Sequence, residues 1–259
     1  MFCNTGFSDV ISTKMWSCRP VVLLPLIFSV FTAAGLWIVY FVALHYEKVL
    51  PLSSAYRYGN TSEYPPFISL AGNFPPASCI FSQVMNMAAF AGFIIAVLRY
   101  LQLKTKLDKQ WLNIATFASF SVGCFGTTIV GNFQLLEMMY IHDIGTLLTF
   151  GPGTLYCWTQ SYITLRVNLK NEGRKLAICR FLLSAAITLC VILLYSLIKI
   201  SYMHSARCQW ALVMFFLIFL GTFAIDFRHS RFEMVCRDTV KLQNQPDASY
   251  VSGHQLQQL

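Results

Sequence analysis

The stretch Val21–Leu44, VVLLPLIFSVFTAAGLWIVYFVAL, runs for about 24 residues without a charged side chain. As a helix rising 1.5 Å per residue it reaches about 36 Å, enough to cross the roughly 30 Å hydrocarbon core of a bilayer. Five further stretches read the same way: Cys79–Leu98, Leu112–Leu135, Ile144–Leu165, Phe181–Ile198 and Cys208–Phe227. None contains Lys, Arg or Glu, and Asp226, near the end of the last, is the one acid among them. The expected fold is all-α, a polytopic membrane protein whose single six-helix transmembrane bundle occupies residues 21–228. A polar, loose segment (1–20) precedes it, and a tail (229–259) with a Gln-rich, uncharged end follows and reads as disordered. The first stretch exceeds the about 7–15-residue core of a signal peptide and follows a polar leader, so it reads as a retained helix.

The basic residues sort by gap. Of 19, 15 fall in the N-terminus, the second and fourth gaps and the C-terminus; Lys48, Arg57, Lys199 and Arg207 share the other three gaps. Lys and Arg near helix ends stay cytoplasmic, which predicts both termini in the cytosol and the odd-numbered loops in the lumen or outside. This placement also accounts for the net charge of +8 without a nucleic-acid partner. Lys104, Lys106 and Lys109 form one short basic loop; Arg166, Lys170, Arg174 and Lys175, counted together with Arg180, form the other. Two readings stand side by side: orientation alone, or attraction to anionic inner-leaflet lipids at about 1 kcal/mol per residue. Hydrophobic residues at 56% and charged residues at 12%, against roughly 25% charge in soluble domains, agree with a membrane chain.

Polar groups can then be placed by depth. Ser82, Gln83, Asn86, Asn132, Gln134 and His142 all fall toward the outer side, with Asp143 and Gln209 at the same level. Amides in hydrocarbon need partners. They therefore read either as interhelical ties worth about 0.6 kcal/mol each or as a vestibule for an ion or lipid headgroup. No ring of carboxylates marks a selective pore. The outer loop His45–Ser78 holds Pro51, Pro65-Pro66 and Pro75-Pro76, which predict a shaped backbone. Asn60-Thr61-Ser62 within it is the chain's single N-x-S/T sequon, which makes Asn60 a glycosylation candidate.

Cys79 and Cys208 both begin helices on the oxidising side, where a disulfide between them is possible. Cys18, Cys179 and Cys236 are juxtamembrane palmitoylation candidates, while Cys124, Cys157 and Cys190 read as small buried hydrophobes. Gly123, Gly126, Gly131 and the Ala88/Gly92 pair predict close helix approach. Gly151-Pro152-Gly153 predicts the same or a hinge. The chain carries no catalytic motif, no metal-ligand spacing and no cofactor loop, so it reads as a non-enzyme without metal or cofactor.

The run Pro75-Pro76-Ala77-Ser78-Cys79-Ile80-Phe81-Ser82-Gln83-Val84-Met85-Asn86-Met87-Ala88-Ala89-Phe90 with Arg99-Tyr100 resembles the DRAM/transmembrane protein 150 family of six-span proteins. So do Phe67-Ile68-Ser69, Gly131-Asn132-Phe133-Gln134, His142 with Gly145, Cys208 with Trp210, and Gly221-Thr222-Phe223 with Asp226-Phe227. Gly35-Leu36-Trp37-Ile38-Val39-Tyr40 and Val167-Asn168-Leu169-Lys170-Asn171-Glu172-Gly173-Arg174 look most like its tentonin-like branch. Gln209 stands where many members have Glu. The branch implies a component or modulator of a mechanosensitive cation channel in the plasma membrane, acting as a homo-oligomer or with a channel partner. Other members imply a non-enzymatic modulator of autophagy at lysosomes or endosomes, or of phosphoinositide kinase recruitment.

Overall fold

A computed structural model describes residues 15–17, 19–54, 63–167, 173–228 and 233–235. Two compact units divide the chain. In the smaller, Met15–Ser17 (β1) pairs antiparallel with Glu233–Val235 (β2), Trp16 opposite Met234. An antiparallel ladder satisfies backbone donors and acceptors that an unpaired segment would leave to water.

The larger unit is helical. A 3₁₀ turn over Arg19–Leu23 leads into α1 (Leu24–His45). The short α2 (Ile68–Ala71) follows the outer loop. Next come α3 (Ala77–Leu103), α4 (Gln110–Asn132), α5 (Met139–Arg166), α6 (Gly173–Leu197), α7 (Tyr202–Gly221) and, after a break at Thr222, α8 (Phe223–Phe227). Among the described residues, five spans are long and apolar enough to cross a membrane: those of α1, α3, α4 and α6, and α7 with α8. α5 is the longest helix, yet it is less apolar because its inward side carries His142, Tyr156, Gln160, Ser161 and Thr164. Its outward side shows Leu147, Leu155 and Leu165. Together these helices make a polytopic membrane bundle.

The six long helices close into a ring. Each packs on its neighbour in sequence, and α7 returns to α1. The outer surface is as apolar as the interior, with Phe90 69% and Leu182 67% exposed, as expected where the surrounding solvent is lipid. Interior contacts depend on small residues instead. At the α4–α5 crossing, a Cβ on Gly126 would lie 2.7 Å from both the Gly145 carbonyl oxygen and the Thr149 nitrogen. The two backbones touch there, which association in lipid favours. α5 runs unbroken through Pro152, whose carbonyl accepts a hydrogen bond from Ser119 Oγ at 2.9 Å.

Candidate functional site: a buried ionic centre and a clamped outer loop

Four helix ends meet where the α3–α4 turn lies. α3 brings Arg99 and Gln102 in its last turns, and α5 brings Gln160 and Thr164. α6 brings Arg180 in its second turn, and the α7–α8 break brings Thr222 and Asp226. Arg99, Arg180 and Asp226 are 2%, 0% and 3% exposed, so this is a dry ionic site. The Asp226 carboxylate accepts a close hydrogen bond from Arg180 Nη2 and lies 3.4 Å from Arg99 Nη1.

Other guanidinium donors are held by neutral groups. Arg180 donates from Nε to Thr222 Oγ1 at 2.9 Å and from Nη1 to Thr164 Oγ1 at 2.6 Å. Arg99 donates from Nε to Gln160 Oε1 at 3.0 Å and from Nη1 to Gln102 Oε1 at 2.6 Å. Gln102 in turn donates to the Asp226 carbonyl at 2.9 Å. Two cations face one anion, leaving one excess positive charge. The Phe223 ring lies against both guanidinium carbons, at 5.1 Å from Arg99 and 4.6 Å from Arg180, and its negative face offsets part of that charge. A buried pair of this kind is a weak source of net stability but is costly to break, because one ion is then left uncompensated. Its chemistry is to lock the ends of α3, α5, α6 and α7 in one register.

The opposite end is held by hydrogen bonds to side chains of the bundle. Gln209 Oε1 on α7 accepts from the Ile68 backbone N–H at 2.8 Å, at the start of α2. Trp210 Nε1 donates to the Pro66 carbonyl at 2.9 Å. His142 bridges Ser69 Oγ at 2.9 Å and the Phe133 carbonyl at 2.7 Å. Asn73 Oδ1 accepts from Leu136 N at 2.9 Å, and Arg207 Nε donates to the Leu52 carbonyl at 2.8 Å. The described parts of the proline-containing loop are thus pinned onto the bundle. Replacing Gln209 with alanine is expected to leave the buried Ile68 N–H without its acceptor, a cost of about 1–3 kcal/mol. Faster amide exchange in residues 63–76, with α4 unchanged, is the result that checks it.

The predicted polar cluster divides in two. Ser82, Asn86 and Asn132 come together at the α3–α4 contact. Asn86 Nδ2 donates to Asn132 Oδ1 at 2.9 Å, Asn132 Nδ2 donates back at 3.0 Å, and Ser82 Oγ donates to Asn132 Oδ1 at 3.1 Å. His142 instead serves the α2 clamp. Gln83 is exposed and Gln134 half-buried, and no hydrogen bond among the described residues ties either side chain to these two sets. Ser82, Asn86 and Asn132 are therefore bonded to one another and His142 belongs to a separate set: depth along a helix is legible from sequence, but the direction a side chain faces is not.

Cys79 and Cys208 are both free thiols, so the disulfide that the sequence left possible is not formed. They belong to α3 and α7, which α1 separates in the ring. Lys104, Lys106, Lys109, Arg166, Arg174 and Lys175 are exposed near the ionic centre's end of the bundle. Arg180, expected among the loop cations, is instead wholly buried on α6. Asn60 and Lys170 lie outside the described residues. Sequence reading missed the ionic centre because Arg99 and Arg180 border apolar stretches and count naturally as loop charge. The signal that could have found it is Asp226, a lone acid inside an apolar stretch, which demands a cation.

A ring of membrane-crossing helices closed by a buried Arg–Asp–Arg centre defines a class of polytopic membrane protein. Residues 20–230 match the Frag1/DRAM/Sfk1/Cwh43P N-terminal domain family, and the chain belongs to it. It is similar to the modulator of macroautophagy TMEM150B of Xenopus tropicalis, 34% identical over 216 residues covering 83% of this chain and 88% of the relative. The human protein of the same name is 30% identical over 240 residues, covering 89% and 95%. Transmembrane protein 150A of mouse is 30% identical over 225 residues, covering 80% and 83%. No solved structure matches the chain.

Proposed function

We propose that this protein is a non-enzymatic modulator of macroautophagy, acting from endolysosomal membranes with both termini and the basic turns in the cytosol. The observation that supports it most is the near full-length likeness to relatives named modulators of macroautophagy, which runs through the whole helical bundle. The names of these relatives lend no support to the mechanosensitive-channel expectation. The bundle contributes a rigid frame: the ionic centre fixes the helix ends from which the α3–α4 turn and the start of α6 project. Lys104, Lys106, Lys109, Arg174 and Lys175 are exposed there, and in this reading they attract anionic lipid headgroups.

Raised expression is expected to speed turnover of a tandem-fluorescent autophagosome reporter in starved cells, and deletion to slow it. Replacing the five exposed cations with glutamine is expected to remove the effect while the protein still reaches its membrane. Unchanged turnover in both overexpressing and deleted cells would count against the reading. A stretch-evoked current from the purified protein in liposomes would restore the channel reading in its place.

A further inference from the structure

The helices leave a partly open cavity of about 140 Å³ between α1, α2, α3, α4, α5 and α7. Its lining is mainly apolar, with Phe28, Phe81, Phe120 and Phe150 among the walls. An apolar cavity of about 150 Å³ accepts a benzene-sized guest in a well-studied engineered case. Gln209, Val213, Phe216, Leu217 and Leu220 line the cavity from α7. Their spacings of three and four residues put them on one face of that helix. Gln209 is the polar member of an otherwise apolar face.

Only half of its amide is occupied. Oε1 accepts from the Ile68 N–H at 2.8 Å, which fixes which end of the amide is oxygen. Nε2 donates to no group among the described residues, although Gln209 is only 8% exposed. It keeps accessible surface, because the unpaired side-chain atoms sealed from anything the size of water are Thr32 Oγ1 and Tyr156 Oη alone among the described residues. Other hydroxyls of the wall are taken. Thr127, Thr146 and Thr149 each donate to the carbonyl four residues earlier, at 2.8–3.0 Å, and Ser69 pairs with His142 Nε2 at 2.9 Å. A buried donor left unpaired costs free energy that an acceptor recovers.

We propose that this cavity binds an uncharged amphiphile, with a ring or chain segment among the phenylalanines and a carbonyl, ester or hydroxyl oxygen that accepts from Gln209 Nε2. The free amide nitrogen is a donor only, so the guest must bring an acceptor. The apolar walls exclude a charged guest. This chemistry has two sources in a membrane: the ester-linked chain of a bilayer lipid, and a free neutral amphiphile.

The test uses the full chain in lipid nanodiscs with two photoreactive probes, a long-chain alkan-2-one and a diacyl phospholipid, each with a diazirine in its chain. Crosslinked residues are mapped by mass spectrometry. Labelling of Phe28, Phe81 or Phe120, competed by unlabelled dodecan-2-one, is the expected result. Labelling by the ketone alone identifies a free amphiphile, and labelling by the phospholipid identifies a lipid chain as a source. At equal mole fraction in the bilayer, dodecan-2-one is expected to compete about 2- to 10-fold better than dodecane, the worth of one net hydrogen bond. Gln209→Ala is expected to erase that preference, a readout that loosening of α2 alone would not produce. Val213→Phe narrows the cavity and leaves Gln209 in place; it is expected to reduce labelling by either probe. Labelling confined to lipid-facing residues such as Phe31 and Phe90 overturns the proposal. So does equal competition by ketone and alkane in the wild type, or a ketone preference that survives Gln209→Ala.

Discussion

Replacing Asp226 with asparagine is expected to destabilise the helical bundle by about 3–5 kcal/mol, the usual cost of removing one partner from a buried ion pair. The physical reason is charge balance. Two guanidiniums share this one carboxylate, so the centre goes from one excess positive charge to two, in a site where Arg99 and Arg180 are 2% and 0% exposed. Arg180→Met should be milder, because it leaves Arg99 and Asp226 as a balanced pair. It also frees only Thr164 and Thr222, hydroxyls that already donate to the Gln160 and Phe219 carbonyls. Combining Arg180→Met with Asp226→Asn returns the excess to one charge and should be less damaging than Asp226→Asn alone. Melting of the purified variants in a mild detergent, compared as a double-mutant cycle, measures the order. If Asp226→Asn melts with the wild type, or below it no further than Arg180→Met does, the ionic centre does not hold the helix ends together.

Gly126→Ala is expected to cost about 1–3 kcal/mol, as overpacking does where the neighbour cannot yield. The added methyl would meet backbone on both sides, the Gly145 oxygen and the Thr149 nitrogen, each at 2.7 Å, with Leu148 Cβ at 2.8 Å. Flexible side chains can move from such an approach, but here α4 and α5 must part along their length. Two controls share the chemistry without the clash. At Gly123 the nearest atoms are 3.7 Å or more away, and at Gly151 nothing lies within 4 Å. Alanine at Gly151 should be neutral or stabilising by up to about 1 kcal/mol, since glycine in a helix costs that much relative to alanine. Equal melting of Gly126→Ala and Gly151→Ala would show that the α4–α5 contact is looser than its geometry implies.

Much of the architecture was legible in the sequence. An uncharged run of about 24 residues has one inexpensive conformation in lipid, because every backbone donor and acceptor must be satisfied within the segment. Val21–Leu44 and its five counterparts therefore announced their helices. The glycines of the fourth long stretch and of its predecessor announced close approach, as small residues do wherever apolar side chains gain nothing from leaving lipid. Membership of the family was legible too, through the Pro75–Phe90 run and the residues around Asp226.

The tertiary structure decided which polar side chains meet. Apolar periodicity could not orient these helices, since their lipid-facing and inward faces are similarly hydrophobic, as Phe90 outside and Phe81 inside on α3 illustrate. Ser82, Asn86 and Asn132 met because α3 and α4 are ring neighbours. Cys79 and Cys208 did not, because α1 stands between their helices. Arg99, Arg180 and Asp226 come from helices spread through the chain and share a site only because the ring closes. Hydrophobicity is a property of each segment and can be read one segment at a time. Charge compensation is a property of pairs, and a pair exists only once the fold has brought its members into contact.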